Sequence, residues 1–200
     1  MAYSDIPGWF AFKDTYDEMV ATCPPNGVLV EVGVAFGRSA AYLARKVLDA
    51  DLKGVRIWAI DPFFDDWWMF PQNYPTTLTR PSWGGEYSQW ARDQGGPYSA
   101  FVQAMRQHAP EELERLNVLR CRSVDAAKFI GACHGVLIDG NHDYDFVAQD
   151  IALWRPHMMP GGILAGDDYC PKDFPGVVQA VKEAFGTDFE VRGTTWVKKC

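Results

Sequence analysis

Basic residues form no run longer than the pairs Arg45-Lys46 and Lys198-Lys199, CxxC pairs are missing, no apolar stretch approaches the ~20 residues of a membrane span, and no repeat or low-complexity tract divides the sequence. Each absence removes a class of function. A formal charge of −7 without a Lys/Arg patch argues against a nucleic-acid partner, whose phosphates are held by clustered cations. Five cysteines, odd in number and widely spaced, give neither a disulfide framework nor a zinc site, and a reducing cytoplasm is their simplest setting. The opening residues lack a charged segment followed by an apolar run, so neither secretion nor membrane insertion is expected. What remains is one soluble domain over residues 1–200, 48% hydrophobic and 22% charged, long enough to bury a sizeable core.

What is present alternates between strand and helix. Phe12, Tyr16, Met19 and Val20 at helical spacing predict an N-terminal helix over about 8–22, closed by Cys23-Pro-Pro-Asn-Gly27. Val28–Gly33 reads as a first strand, followed by a glycine turn and a helix carrying Ala40, Leu43, Ala44 and Val47 on one face. Val55–Ile60, Asn117–Cys121, Val136–Ile138 and Gly162–Ala165 read as further strands separated by helices, and residues 189–191 and 194–197 as a closing hairpin. The predicted class is α/β: a doubly wound, mostly parallel sheet of seven strands with a C-terminal antiparallel hairpin. Between about 63 and 96 the periodicity fails, and Trp67, Trp68, Phe70, Tyr74, Trp83, Tyr87 and Trp90 crowd together. That density favours an ordered insertion or lid, serving as a satellite core, an aromatic-lined acceptor site or a contact in a homo-oligomer.

The chemistry gathers at strand ends. Val136-Leu-Ile-Asp-Gly-Asn-His-Asp-Tyr144 and Gly161-Gly-Ile-Leu-Ala-Gly-Asp-Asp-Tyr169 are apolar runs that stop abruptly at acidic residues. If the two strands are neighbours, Asp139, Asp167, Asp168 and His142 converge, and such a cluster is costly to assemble without a cation or a reaction to use it. Three carboxylates and one imidazole select a hard ion, Mg²⁺ first, with Mn²⁺ or Ca²⁺ as alternatives. Glu31-Val-Gly-Val-Ala-Phe-Gly-Arg-Ser39 is neither GxGxxG nor a P-loop, which disfavours a diphosphate. Its glycines either form a tight turn or let a ligand approach the backbone, and Glu31 beside them suits a nucleoside bearing an amino-acid-like cation. Asp61, ending the second strand, stands where nucleotide-binding sheets hold ribose hydroxyls. Ser123 either caps the following helix or touches a ligand.

Taken together, Glu31-x-Gly33-x-x-x-Gly37-x-Ser39, Asp61-Pro62, Ile138-Asp-Gly-x-His142-x-Tyr144, Pro160-Gly-Gly162 and Gly166-Asp-Asp-Tyr169 resemble class I S-adenosylmethionine-dependent methyltransferases. The closest likeness is to metal-dependent O-methyltransferases of the macrocin and mycinamicin type, similar in layout to catechol O-methyltransferase. The resemblance spans residues 28–197 and implies a Rossmann-like methyltransferase fold. It implies S-adenosyl-L-methionine as cofactor, with Glu31, Gly33, Gly37 and Ser39 bordering its methionine part, Asp61 on the ribose and Ser123 near the adenine. It further implies that Asp139, Asp167 and Asp168 ligate Mg²⁺, that Asp139 and His142 are catalytic, with His142 as base, and that a small hydroxylated metabolite accepts the methyl group. Some relatives carry Glu in place of Asp167, and catechol-type enzymes carry Lys rather than His at the base position, which favours a sugar-type or alkyl hydroxyl over a catechol. Two other classes stay open: a metal-dependent hydrolase using the Asp/His cluster, and a non-catalytic cofactor-binding or dimerisation module.

Overall fold

In a computed structural model, which describes residues 2–63 and 90–200, seven strands form one sheet. They are β1 (Val28–Val32), β2 (Arg56–Ile60), β3 (Leu116–Leu119), β4 (Cys133–Ile138), β5 (Met158–Gly166), β6 (Glu190–Arg192) and β7 (Thr195–Lys199), in the order β3-β2-β1-β4-β5-β7-β6. The first five run parallel, and β7 lies antiparallel between β5 and β6. Strand order reverses between β1 and β4, which makes their carboxyl ends the switch point of the sheet.

The principal helices are α1 (Lys13–Thr22), α2 (Arg38–Asp49), α3 (Pro97–His108), α4 (Pro110–Leu113), α5 (Ser123–Ala126), α6 (Tyr144–Trp154) and α7 (Pro175–Phe185). Proline opens α3, α4 and α7, where its fixed φ suits the first turn and its missing N–H costs nothing. One face of the sheet buries Val30, Val32, Val136, Ile138, Leu164 and Trp196 against Val147, Ile151 and Trp154 of α6 and Val177 and Val181 of α7. The other buries Leu29, Ile57, Leu137 and Ala165 against Tyr16 and Met19 of α1 and Leu43, Ala44 and Val47 of α2. Truncating a fully buried anchor such as Trp154 or Trp196 costs about 3–5 kcal/mol. None of the helices among the described residues is long and apolar enough to cross a membrane.

Three sequence boundaries move by three residues or more. The N-terminal helix begins at Lys13 rather than near 8, because Phe12 keeps a non-helical backbone and Phe10 and Phe12 turn inward as an edge-to-face pair (4.9 Å) that reaches Tyr16 and Tyr42. Strand β4 starts three residues early, since His134 accepts the Val28 N–H and is absorbed into the sheet despite its polarity. Strand β5 starts at Met158 because Gly161 and Gly162 exchange backbone hydrogen bonds with Cys200. Of the aromatic insertion expected over 63–96, residues 64–89, with Trp67, Trp68, Phe70, Tyr74, Trp83 and Tyr87, lie outside the described residues. Trp90 packs edge-to-face on Phe36 at 4.9 Å.

Candidate active site

The sheet ladder itself carries the acidic residues to one rim. Beyond β4, the Asp139 N–H donates to the Val32 carbonyl (2.7 Å), and beyond β5 the Asp167 N–H donates to the Ile138 carbonyl (3.1 Å), so the Leu137–Ala165 register continues to set Asp139 beside Asp167. Strand alternation places both on the face of α1 and α2 and would send Asp168 to the opposite face. Asp168 instead takes a left-handed backbone, φ +59°, and its side chain returns to Asp139 and His142. A non-glycine residue there stores strain, a feature that concentrates at functional sites.

His142 Nε2 stands 2.9 Å from Asp168 Oδ2 and 3.5 Å from Asp139 Oδ1, yet makes no well-aligned hydrogen bond among the described residues. One ligand atom from each of Asp139, His142 and Asp168 lies within 4.8 Å of the others. A hard divalent cation spans that spread: opposite ligands stand about 4.2 Å apart around Mg²⁺ and about 5 Å around Ca²⁺. Two carboxylates without a thiolate fit such an ion, and the imidazole stands beside them. Asp167 is held apart, its Oδ1 accepting the Thr194 (2.8 Å) and Thr195 (3.3 Å) hydroxyls. The Phe174 ring packs against His142 at 4.8 Å.

The charges are strongly coupled. Burial raises Asp139 to about 7 against the opposing pull of His142. Burial alone would lower the His142 imidazole, but ion pairing with Asp139 and Asp168 outweighs it and raises it to about 10. The two carboxylates thus favour the imidazolium form of His142 over the neutral ring.

Across the switch point, the turn after β1 is satisfied from within. Asp61 is buried, and its Oδ2 accepts the N–H groups of Val34 (3.1 Å) and Ala35 (3.0 Å) while Oδ1 accepts that of Phe63 (2.7 Å). Glu31 is fully buried on the α1 side, with Oε1 accepting the Ser39 hydroxyl. Gly33 has φ +86°, and a Cβ there would collide with the Asp139 carbonyl; Gly37 has φ +92°, and a Cβ would lie 2.6 Å from Met105 Sδ and 2.8 Å from Phe101 Cε2. In the direction of an added Cβ both glycines meet the chain itself, as the tight-turn reading requires. Ser123 does not cap α5, whose N-cap is Arg122. Its hydroxyl accepts the Trp154 indole N–H at 2.8 Å and pulls down Asp150, which burial has raised to about 6.

Sequence reasoning passed over Thr194, Thr195, Phe174 and Tyr16. The threonines carry a visible signal, since a hairpin starting beside Gly166-Asp167 delivers hydroxyls to the acidic rim. Tyr16 carries none, because at helical spacing it reads as core.

Solved structures share this architecture. The O-methyltransferase NovP is 19% identical, with 94% of this chain and 78% of that chain covered at a TM-score of 0.63. CalS11, a TDP-rhamnose 3′-O-methyltransferase of calicheamicin biosynthesis, is 17% identical, with 94% and 76% covered at 0.58. A Streptococcus mutans protein solved in complex with S-adenosylhomocysteine is 12% identical, with 97% and 100% covered at 0.58. No curated protein matches the sequence. A glycine turn and an acidic rim facing one another across the switch point are accompanied by a match to the methyltransferase domain family over residues 30–169, and the chain belongs to that family.

Proposed function

We propose that the protein transfers a methyl group from S-adenosylmethionine to a hydroxyl of a small metabolite, sugar-type or phenolic, with the help of a divalent cation, Mg²⁺ first. The observation that carries this reading is the convergence of Asp139, His142 and Asp168 at the β4–β5 rim of a methyltransferase-family sheet. In it, Glu31, Gly33, Gly37 and Ser39 border the methionine part of the donor from behind the turn, and Ser123 lies toward the adenine. Asp61 fixes the turn and retains an acceptor position on Oδ1 for a ribose hydroxyl.

Asp139 and Asp168 would hold the cation, with Asp167 beside them oriented by Thr194 and Thr195. Such an ion lowers the pKa of an acceptor hydroxyl and orients it. With both carboxylates so engaged, His142 would lose the negative charge that favours its protonated form and could accept the hydroxyl proton at Nε2. The acceptor oxygen then forms a bond to the methyl carbon, the carbon–sulfur bond breaks, its electron pair stays on sulfur, and the proton remains on His142. Alignment of oxygen, methyl and sulfur is the main demand on the protein.

Calorimetry with S-adenosylmethionine and S-adenosylhomocysteine tests the donor, and a mass-shift screen of hydroxylated sugars and phenols, with and without Mg²⁺, tests the transfer. Binding of neither nucleoside up to millimolar concentration rejects the reading. Turnover indifferent to chelation rejects the cation.

A further inference from the structure

Two fully buried polar atoms stand next to each other behind the turn after β1: the Tyr16 hydroxyl on α1 and Glu31 Oε2 at the end of β1, neither with a well-made hydrogen bond among the described residues. An orphaned buried polar group costs about 1–3 kcal/mol, so two side by side need a reason. Their surroundings supply one. The other Glu31 oxygen takes the Ser39 hydroxyl in the first turn of α2, immediately after Gly37, so Glu31 connects α1 to the turn that borders the proposed donor site. The Tyr16 ring is fixed by Phe12 at 5.1 Å and Phe10 at 5.9 Å, which leaves its hydroxyl little freedom to turn elsewhere. The same N-terminal segment is tied to α2 a second time, where the Arg38 guanidinium donates to the Gly8 carbonyl at 2.5 Å.

We propose that Tyr16 is a positioning residue for the methyl donor: its hydroxyl completes a hydrogen-bond chain Tyr16–Glu31–Ser39 when the donor fills the turn, coupling α1 to cofactor binding. This rests on the reading of the donor as S-adenosylmethionine. In the free protein the Ser39 link is made, whereas the Tyr16 hydroxyl meets Glu31 without good alignment, so the donor's arrival has a bond left to tighten. Linkage then requires that donor binding stabilise α1 as much as α1 strengthens donor binding.

The test is a double-mutant cycle with calorimetry against S-adenosylhomocysteine. Tyr16→Phe retains the ring packing and is expected to weaken binding about three- to tenfold, in keeping with the loss of one hydrogen bond. In steady state the loss falls on KM for the donor rather than on kcat. Glu31→Gln weakens binding as well, and the double variant is no weaker than Glu31→Gln alone, because Tyr16 acts through Glu31. In the wild-type chain, S-adenosylhomocysteine should slow amide exchange across Lys13–Thr22, a readout that needs no variant to fold. Wild-type affinity in Tyr16→Phe, multiplicative losses in the double variant, or unchanged exchange in α1 overturns the proposal while leaving the donor assignment standing. Absence of wild-type binding removes the donor assignment and this inference together.

Discussion

The turn after β1 and the rim after β4 and β5 flank the same switch point, yet they treat charge in opposite ways. Asp61 is buried under three backbone amides that it helps to hold in place, and Glu31 is sealed beneath α1 with Ser39. At the rim, Asp139 and Asp168 meet one imidazole with Asp167 held beside them, and the Asp139, His142 and Asp168 side chains each keep 22–26% of their surface exposed. The turn is a finished piece of protein whose shape can bind; the rim is an unfinished charge distribution that a cation and a hydroxyl would complete. The first should therefore respond to substitution mainly through affinity and stability, the second mainly through rate.

The largest test of that contrast is Asp168→Ala. It removes a carboxylate 2.9 Å from His142 and leaves an alanine on the same left-handed backbone, so turnover is expected to fall about 10²–10³-fold or more while S-adenosylhomocysteine binding persists. Equal loss of S-adenosylhomocysteine binding in calorimetry would merge rim and turn into one site and end the comparison. Next is His142→Gln, for which kcat should drop about 10²–10⁴-fold, with the loss of one ionisation from the pH–rate profile. An unchanged profile would move the base elsewhere.

Smaller effects sharpen the turn's side. Asp61→Asn turns an amide toward the N–H groups of Val34, Ala35 or Phe63, and a urea melt should show about 1–3 kcal/mol of destabilisation together with weaker donor binding. A stable variant with normal affinity would mean that the amides do not organise the turn. The smallest is a pH effect. Burial lifts the folded Glu31 carboxyl to about 8, well above its ordinary 4.5, so the folded chain holds that proton more tightly than the unfolded one. Stability from Glu31 is thus complete below about 4.5 and is lost as pH rises through about 8. The thermal midpoint of the free protein should decline across that window, and Glu31→Gln should make the decline shallower. A parallel decline in both proteins would show that Glu31 is not its source.

How much of this could be read from sequence follows the same division. The rim was legible because an apolar run that stops at Asp139, and another that stops at Asp167-Asp168, can only be strand ends, and neighbouring parallel strands align their ends. The mostly parallel seven-stranded sheet followed from the alternation and the closing hairpin, and its strand order came from the structure. The left-handed turn that brings Asp168 back was not legible, since backbone sign at a single aspartate leaves no periodic trace. Asp61 was found, but its amide partners were not: those are made by the folded loop. Tyr16 was hidden by its own spacing, which marks a core position equally well whether or not the hydroxyl is used.

The hairpin that ends the sheet sets an order in time. Strand β7 is inserted between β5 and β6, its Trp196 lies under Gly166, and Thr194 and Thr195 grip Asp167. A growing chain has therefore synthesised β1, the glycine turn and Asp139 long before the residues that steady Asp167 exist. During translation the turn after β1 can form first, and the acidic rim acquires its final geometry only when residues 194–199 have been added.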